Sequence, residues 1–500
     1  MIAGAAGVVV ATTRYGIGLT PDSVTYLSGA RSLADGDGYT DLAGDAIGLF
    51  PPGYSAVLSI GERLGIDAVD AARGLSVITL VLTIALAYAL LRHHVRSPGL
   101  QLGATALVGC SAVLLEIYSK ALSEHLFVPV LLAFALVCEE LVRHPRRPWL
   151  LTAAVVLAWA AFYLRYAGIV MLAVGALVLL AAEWRAGWVS AVLRSFLWGI
   201  AAASAPVVWM LRNDDAVGHP VGSRAEAASS TTENVKRVVN ELSQWLATQL
   251  LPGVARGVIL AAAAIALAVV VVAVARRRDP LPDDWKAMLP LAGLVVVYVG
   301  YLIASASIVA FAAINTRFML PVFVPIVVLS AWLFERIRDR IPSATQRRVL
   351  TAVAAAWLAV NLAWFAGRAI NSAQDGAGGY ASERWQESAL MQDVDDLDLA
   401  TPTFTNDPRA IEIFLDKLVE QSPQRTRFQS GQGTNDLRRF VREVECGGPA
   451  QLVWFLPNGR KHLYDPKELR EHVRLKVAVK RSDGVIYDVL PTSPPSTNCG

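Results

Sequence analysis

Residues 251–275 read LPGVARGVILAAAAIALAVVVVAVA and are followed at once by Arg276, Arg277 and Arg278. An apolar run of about 20 residues at 1.5 Å per residue matches the roughly 30 Å hydrocarbon core of a bilayer. Basic residues beside a span normally stay in the cytoplasm. The stretch therefore predicts a membrane span with a cytoplasmic basic end.

The same two criteria predict further spans along the chain. With a short apolar start they make about eleven, the others lying near 71–91, 100–117, 122–142, 149–165, 167–183, 191–211, 287–304, 317–334 and 349–367. One orientation places all the basic loops in the cytoplasm: His93/Arg96, Arg143/Arg146/Arg147, Arg185/Arg194, 276–278 and 336–348. Function is then expected on the opposite side, in 14–60, in 212–250 and after Arg368.

The composition is that of a membrane protein, with 54% hydrophobic and 17% charged residues. A net charge of +3 is too small to indicate a nucleic-acid partner. The apolar stretch 2–11 would cover only about half a bilayer, so further residues are expected before it. The predicted fold class is an all-α polytopic membrane protein with a small soluble α/β domain at its C-terminus.

A glycine-rich joint at 374–379 marks the change from the membrane part, 1–367, to a soluble part, 368–500. Its pattern predicts strands at 402–405, 451–456, 475–479 and 485–489 and helices at 409–420 and 466–473. Cys446 and Cys499 lie in this domain, where they either pair in an oxidising compartment or stay reduced.

The sharpest local pattern lies in the first outer loop, 14–60. Thr20 is a good N-cap and Pro21 a good first residue of a helix, which places Asp22 in the first turn. Free backbone N–H groups and the helix dipole stabilise a carboxylate there. Tyr26 follows one turn later on the same face. Asp22 is either a capping residue only or the carboxylate of a site at the outer surface.

Glu116, Lys120 and Glu124 recur at a spacing of four residues. On a helix this spacing puts them on one face, so the sequence predicts a charged face at the outer end of the third and fourth spans. The face is either a salt-bridged helix end or part of a site. In a site, Lys120 would meet a phosphate, and Glu124 would orient a sugar or help to bind a divalent cation.

Arg165 and Arg317 lie at the outer boundary of predicted spans. Arginines there either snorkel to the interface or pair with an anion, and a guanidinium suits bidentate contact with phosphate. Residues 234–250 carry apolar side chains at helical spacing with Lys236 and Arg237 opposite. This predicts an amphipathic interfacial helix.

Five short segments, in order, resemble the GT-C glycosyltransferases, specifically the branch with protein O-mannosyltransferases and the lipid A aminoarabinose transferase. They are Asp22 with Tyr26, 36–39 (GDGY), 51–54 (PPGY), 118–124 (YSKALSE) and 317–321 (RFMLP). The resemblance implies an enzyme that moves a sugar from a polyprenyl-phosphate carrier to a lipid, glycan or protein acceptor at the outer face. It also implies that Asp22 is the catalytic base.

Phe50 stands where members related to the aminoarabinose transferase often have a lysine, so other residues are expected to bind the phosphate. The transfer needs a base near the acceptor hydroxyl and cations near the departing phosphate. One carboxylate suffices for a direct displacement with inversion. The predicted site is therefore Asp22 as base, with substrate bound by Tyr26, Tyr54, Lys120, Glu124, Arg165 and Arg317. The only cofactor that this pattern suggests is a divalent cation.

The alternative function is a lipid or solute transporter of the envelope that carries an accessory soluble domain. Transporters place ionisable groups near the bilayer midplane on broken helices, whereas the charged candidates here lie at the outer ends of spans. An inactive scaffold is a third hypothesis, against which the retained Asp22 argues. The chain is expected in the plasma membrane, with its C-terminal domain outside the cytoplasm.

Overall fold

The computed structural model is mostly helical. It describes residues 1–145, 147–184, 187–246, 252–258, 261, 285–310, 312–397, 401–427, 432–456 and 460–492. Most of the predicted span 251–275 and its basic end 276–278 lie outside the described residues. That span therefore stays a prediction.

The main helices of the membrane part follow one another with short connections. In chain order they are α1 (Ile2–Ala11), α2 (Pro21–Asp35), α3 (Gly53–Arg63), α4 (Ala68–His94), α5 (Pro98–Gly109), α6 (Ala112–Tyr118), α7 (Glu124–Arg143), α8 (Pro148–Leu164), α9 (Val170–Glu183), α10 (Trp188–Val217), α11 (Thr231–Leu246), α12 (Leu289–Ile308), α13 (Thr316–Arg340) and α14 (Ala344–Asp375).

Eight described helical segments are long and apolar enough to cross a membrane. They are Ala68–His94, Pro98–Tyr118, Glu124–Arg143, Tyr166–Glu183, Trp188–Val217, Lys286–Ile308, Thr316–Arg340 and Ala344–Asp375, and α1 and α8 are shorter apolar helices. Each predicted span apart from 251–275 coincides with one of these segments or with α8. The chain is a multi-pass membrane protein.

The basic ends of α4 and α13 meet the end of α7 at one end of the helix bundle. His94 Nε2 on α4 lies 2.7 Å from a carboxylate oxygen of Glu139 on α7. Glu335 on α13 accepts backbone N–H groups from Arg96 at 2.9 Å and from Ser97 at 2.6 Å, just after α4. These contacts agree with the predicted orientation, in which the basic ends share one side.

The helix α14 continues past residue 367, the predicted end of the membrane part, to Asp375. The C-terminal domain follows this helix. Its elements are α15 (Glu383–Gln386), α16 (Ala389–Asp395), β1 (Thr403–Thr405), α17 (Pro408–Leu415), β2 (Glu420–Gln421), α18 (Asp436–Gly447), β3 (Ala450–Phe455), α19 (Pro466–Leu469), β4 (Arg474–Lys480) and β5 (Gly484–Leu490). The sheet order is β2-β1-β3-β5-β4. β1 is parallel to β2 and β3, whereas β3, β5 and β4 are antiparallel.

The four predicted strands are confirmed, and the predicted helix 409–420 is too long. It ends at Leu415 because Asp416 adopts a left-handed conformation with φ 49° and caps it. The helix α18 was not predicted. Cys446 is disulfide-bonded, and its predicted partner Cys499 lies outside the described residues.

The two faces of the sheet belong to different apolar clusters. Phe404 and Leu452 pack with α18 in a cluster confined to the soluble part. Val453, Phe455 and Ile486 belong to the same cluster as the buried residues of the membrane helices. Because α17 also contacts α2, the C-terminal domain packs directly on the segment 14–60.

Replacing Glu335 by alanine is expected to lower the free energy of unfolding by about 2 kcal/mol, because two backbone N–H groups lose a charged acceptor. Thermal unfolding in detergent measures the change. Asp339→Ala is the control, since that carboxylate lies near the same end of α13, is 56% exposed and contacts Arg338. Equal losses of stability in the two variants would contradict the assignment.

Candidate active site

Asp22 lies in the first turn of α2, which begins with a capping box. The Thr20 side chain accepts the Ser23 backbone N–H at 3.2 Å, and the Ser23 hydroxyl accepts the Thr20 backbone N–H at 2.9 Å. Pro21 is the first helical residue. The predicted helix start is confirmed, and it leaves the Asp22 side chain 35% exposed.

Arg317 bridges Asp22 and Glu124. Its Nη1 lies 2.5 Å from Asp22 Oδ2, and its Nε lies 2.5 Å from Glu124 Oε1. Arg165 Nη1 is 2.6 Å from the same Glu124 oxygen. The Glu124 side chain has no exposed surface. Two carboxylates therefore balance two guanidinium groups, which makes a buried ion cluster tolerable.

These four groups come from separate elements at one end of the bundle. Arg317 follows the N-cap Asn315, whose side chain accepts the Arg317 backbone N–H at 3.0 Å. Arg165 separates α8 from α9, and Glu124 is the first residue of α7. Glu139 lies about 22 Å farther along α7 at 1.5 Å per residue. The cluster is thus at the end opposite the basic helix ends, as predicted.

Tyr26 and Tyr54, which the sequence predicts as substrate-binding residues, form a buried aromatic wall beside the cluster. The two rings meet edge to face at 5.2 Å, and the Tyr26 hydroxyl lies 3.1 Å from Ser123 Oγ. Tyr26 is 1% exposed and Tyr54 is fully buried. Burial raises the pKa of Tyr26 to about 12, so its hydroxyl stays protonated. The sequence motif predicted that Tyr26 and Tyr54 lie near Asp22, but it did not predict that both side chains are buried.

A cleft of about 170 Å³ opens beside Arg317. Lys120 lines the same cleft, and its Nζ lies 3.5 Å from Glu116 Oε1. The remaining lining residues are Thr20, Glu116, Ile117, Leu122, Asn315 and Thr316. The cleft thus brings two predicted cations, Lys120 and Arg317, next to the residue that caps the helix of Asp22.

The prediction that Glu116, Lys120 and Glu124 share one helical face is wrong. The helix α6 ends at Tyr118 and α7 begins at Glu124. Between them, backbone pairing with Gly18 replaces helical hydrogen bonds: the Gly18 N–H donates to Ser119 O at 2.7 Å. Lys120 therefore faces the cleft, whereas Glu124 turns into the protein.

Glu124, which the sequence predicts to orient a sugar or to help bind a divalent cation, is buried. Its Oε1 is held by Arg165 and Arg317, and its Oε2 lies 3.5 Å from Ser123 Oγ. The Glu124 side chain has no solvent-exposed surface, and it contacts both arginines. In the described part of the chain, no three His, Cys, Asp or Glu side chains are placed to hold a metal ion.

Arg224 lies near the ion cluster and was not predicted from the sequence. It lies in the loop after α10, and its Nη2 is 3.4 Å from the carbonyl oxygen of Leu49, next to the Phe50 ring that contacts Tyr26 at 5.0 Å. Burial lowers the pKa of its guanidinium, and the charge of Asp22 acts on it. No ion-pair partner of Arg224 occurs among the described residues.

The signal for Arg224 was weak, because 222–230 reads GSRAEAASS and matches no motif. A single arginine in a loop of small residues is nevertheless unusual, and this is the sequence feature that could have indicated Arg224. The backbone confirms that this loop is ordered against the site: Ala310 N–H donates to Ala225 O at 2.8 Å, six residues before the start of α13.

The amphipathic helix predicted at 234–250 is confirmed as α11, although 247–250 lie outside the described residues. It packs on the start of α13 through a hydrogen bond of 3.0 Å from Thr316 Oγ1 to Glu241 Oε2. The Trp245 ring meets the Phe323 ring at 5.2 Å. The helix α11 thus borders the cleft that Thr316 and Arg317 line.

A second cleft, of about 420 Å³, lies on the other face of α2. Asp35 and Asp37 of the glycine-rich turn line it, together with Glu412 and Asp416 of the soluble domain. Asp35 is therefore at the far end of α2 from Asp22, about 20 Å away at 1.5 Å per residue. The acidic turn does not join the Arg317 cluster.

No family model and no curated protein matches the sequence. Solved structures do match along nearly the whole chain. ArnT from Cupriavidus metallidurans bound to undecaprenyl phosphate is 14% identical, with 97% of each chain covered and a TM-score of 0.59. The apo form of that protein is 13% identical, with 97% of this chain and 96% of ArnT covered and a TM-score of 0.58.

An archaeal relative in fold is larger. The oligosaccharyltransferase AglB from Archaeoglobus fulgidus, in complex with an inhibitory peptide and a dolichol-phosphate, is 11% identical, with a TM-score of 0.51. The match covers 91% of this chain and 68% of AglB. At these identities the likeness concerns the fold. The chain has the fold of the GT-C glycosyltransferases, as its sequence resemblance predicted.

Proposed function

We propose that the protein is a membrane glycosyltransferase that moves a sugar from a polyprenyl-phosphate carrier to an acceptor hydroxyl on the extracytoplasmic face. The observation that carries the proposal is the contact between Arg317 and Asp22 beside the cleft that Lys120 also lines. The fold likeness adds support, because ArnT was solved with undecaprenyl phosphate and AglB with a dolichol-phosphate.

In this proposal the acceptor oxygen attacks the anomeric carbon of the donor sugar. The bond from that carbon to the phosphate oxygen breaks, and polyprenyl phosphate leaves with the electron pair. The Asp22 carboxylate takes the acceptor proton. Because Glu124 is enclosed by arginines, no second carboxylate of the cluster can attack the sugar, which favours one displacement with inversion.

The departing phosphate needs cations that the protein has not already neutralised. Arg165 and Arg317 share the charges of Asp22 and Glu124, and Lys120 faces Glu116. Arg224 has no carboxylate partner among the described residues, so it supplies an uncompensated charge at the edge of the site. We assign it to the donor phosphate, together with Lys120 and Arg317. In this assignment the three cations bind the phosphate in place of the lysine that members related to the aminoarabinose transferase often have at the position of Phe50.

Asp22→Asn is expected to lower kcat for sugar transfer by about 100-fold or more, because general-base catalysis is lost. The assay supplies the purified protein with labelled polyprenyl-phosphate sugars and follows the release of carrier phosphate and the labelled acceptor. Asp35→Asn, at the other end of α2, is the matched control and should keep normal turnover. Undiminished transfer by Asp22→Asn would remove Asp22 as base, and uptake without release of carrier phosphate would favour a transporter.

Arg224→Gln is expected to raise the Kd for undecaprenyl phosphate about 10- to 100-fold, because one charge-assisted hydrogen bond is worth roughly 1.5–3 kcal/mol. Binding is measured directly, without turnover. Arg63→Gln is the control, because Arg63 also donates to a loop carbonyl, that of Leu33 at 2.7 Å, yet lies at the end of α3. If both variants bind the lipid as the wild type does, Arg224 does not contact the phosphate.

Glu124→Gln is expected to reduce both stability and kcat. Removing one partner of a buried ion cluster costs about 3–5 kcal/mol, since Arg165 and Arg317 would be left without their shared counter-charge. Asp22→Asn is the comparison, because its side chain is 35% exposed, so its loss should lower the Tm by less than the loss of the fully buried Glu124. A Tm of Glu124→Gln equal to that of the wild type would show that the arginines do not depend on this carboxylate.

A further inference from the structure

The segment that leads into α2 is held on both sides by backbone pairing. On one side, the Gly18 N–H donates to Ser119 O at 2.7 Å, and the Ala121 N–H donates to Gly18 O at 2.8 Å. On the other side, the Tyr380 N–H donates to Leu19 O at 2.7 Å. Residues 18–19 therefore lie between two other backbone segments, 119–121 and the backbone at Tyr380, and are hydrogen-bonded to both. The three segments are far apart in the sequence.

This arrangement lies directly beside the catalytic groups. Leu19 is followed by Thr20, the N-cap that sets the start of α2 and so the position of Asp22. The partner of Gly18 is Lys120, whose side chain lines the cleft. A shift of residues 18–19 would therefore move Asp22 relative to Lys120 and Arg317.

Residues 377–380 belong to the linker between α14 and the C-terminal domain. Only glycine fits where this linker contacts residues 18–19. Gly379 has φ 62°, and a Cβ built on it would lie 1.8 Å from the carbonyl oxygen of Leu19. A Cβ on Gly18 would lie 2.7 Å from the carbonyl oxygen of Ala377. The two backbones have approached as closely as they can, so any side chain at Gly379 must push them apart.

The linker is in turn anchored in the soluble domain. Tyr380 is 3% exposed, and its hydroxyl donates to Asp407 Oδ1 at 2.8 Å. Arg460 holds the other oxygen of Asp407 at 2.8 Å, and the Trp385 ring meets the Tyr380 ring at 5.4 Å. Asp407 follows β1, so the sheet of the soluble domain is joined to α2 through two residues of the linker.

We propose that Gly379 and Tyr380 are positioning residues, through which the C-terminal domain holds Asp22 at the distance from the donor site that turnover requires. The domain contributes no group to the reaction by this route. It acts by fixing where α2 begins. The inference rests on the proposed function, because the role of Asp22 as base belongs to that proposal.

Gly379→Ala in the full-length protein tests this inference, with Gly448→Ala as the matched control. Both glycines have a left-handed backbone, but a Cβ on Gly448, φ 88°, meets nothing within 4 Å. We expect Gly379→Ala to lower kcat about 10-fold or more with little change in the donor KM, since misplacement of about 1 Å can cost about 100-fold in rate. Gly448→Ala should keep the wild-type kcat.

Hydrogen exchange gives a readout that does not depend on activity. In Gly379→Ala the amides of 17–26 should exchange faster, while β3 and β5 keep their protection. Faster exchange across the whole soluble domain would mean a structural role only and would overturn the proposal, as would exchange equal to that of Gly448→Ala. Because this comparison needs no turnover, it remains decisive if Asp22→Asn transfers sugar normally and the proposed function fails.

Tyr380→Phe provides a second variant that keeps the backbone bond to Leu19 and removes the hydroxyl that contacts Asp407 and Arg460. It should lower kcat by a smaller factor than Gly379→Ala and raise exchange in the same residues, 17–26. If Gly379→Ala does not fold, the kcat and hydrogen exchange of Tyr380→Phe test the proposal instead. A wild-type kcat in Tyr380→Phe, with unchanged exchange at 17–26, would then overturn the proposal.

Discussion

One guanidinium, that of Arg317, joins the first outer loop to the helix bundle by contacting both Asp22 and Glu124. Without this bridge, α2 would carry a carboxylate that faces no cation, and Arg165 alone would face the buried charge of Glu124. The cluster is balanced, with two acids and two bases, which is the condition for placing it out of water. The position of Asp22, the proposed base, therefore depends on its ion pair with Arg317, and the same ion pair helps to balance the buried charges of the cluster.

The four charges of the ion cluster already neutralise one another, so binding of a phosphate needs further cations at this site. In the proposed function the lipid phosphate is bound by Lys120, whose charge is shared with Glu116, and by Arg224, which has no acidic partner in the described structure. The phosphate can thus be bound without breaking the contact of Arg317 with Asp22. The buried aromatic rings of Tyr26 and Tyr54 close the inner side of the site.

Much of the architecture could be predicted from the sequence, because membrane spans and helix caps are signalled locally. The apolar runs located every described span, and Thr20 with Pro21 located the start of α2. The site was only half predictable. Spacing alone suggested that Glu116, Lys120 and Glu124 share a face, but pairing with Gly18, about a hundred positions away, breaks the helix between them. Arg224 and the burial of Tyr54 likewise depend on contacts between distant segments.

The central claim is that Asp22 alone activates the acceptor while the enclosed Glu124 takes no part in bond formation. The anomeric configuration of the transferred sugar, compared with that of the donor by proton NMR on the isolated product, tests this claim most directly. The account predicts inversion. Retention would require a second nucleophilic carboxylate at the sugar and would contradict it.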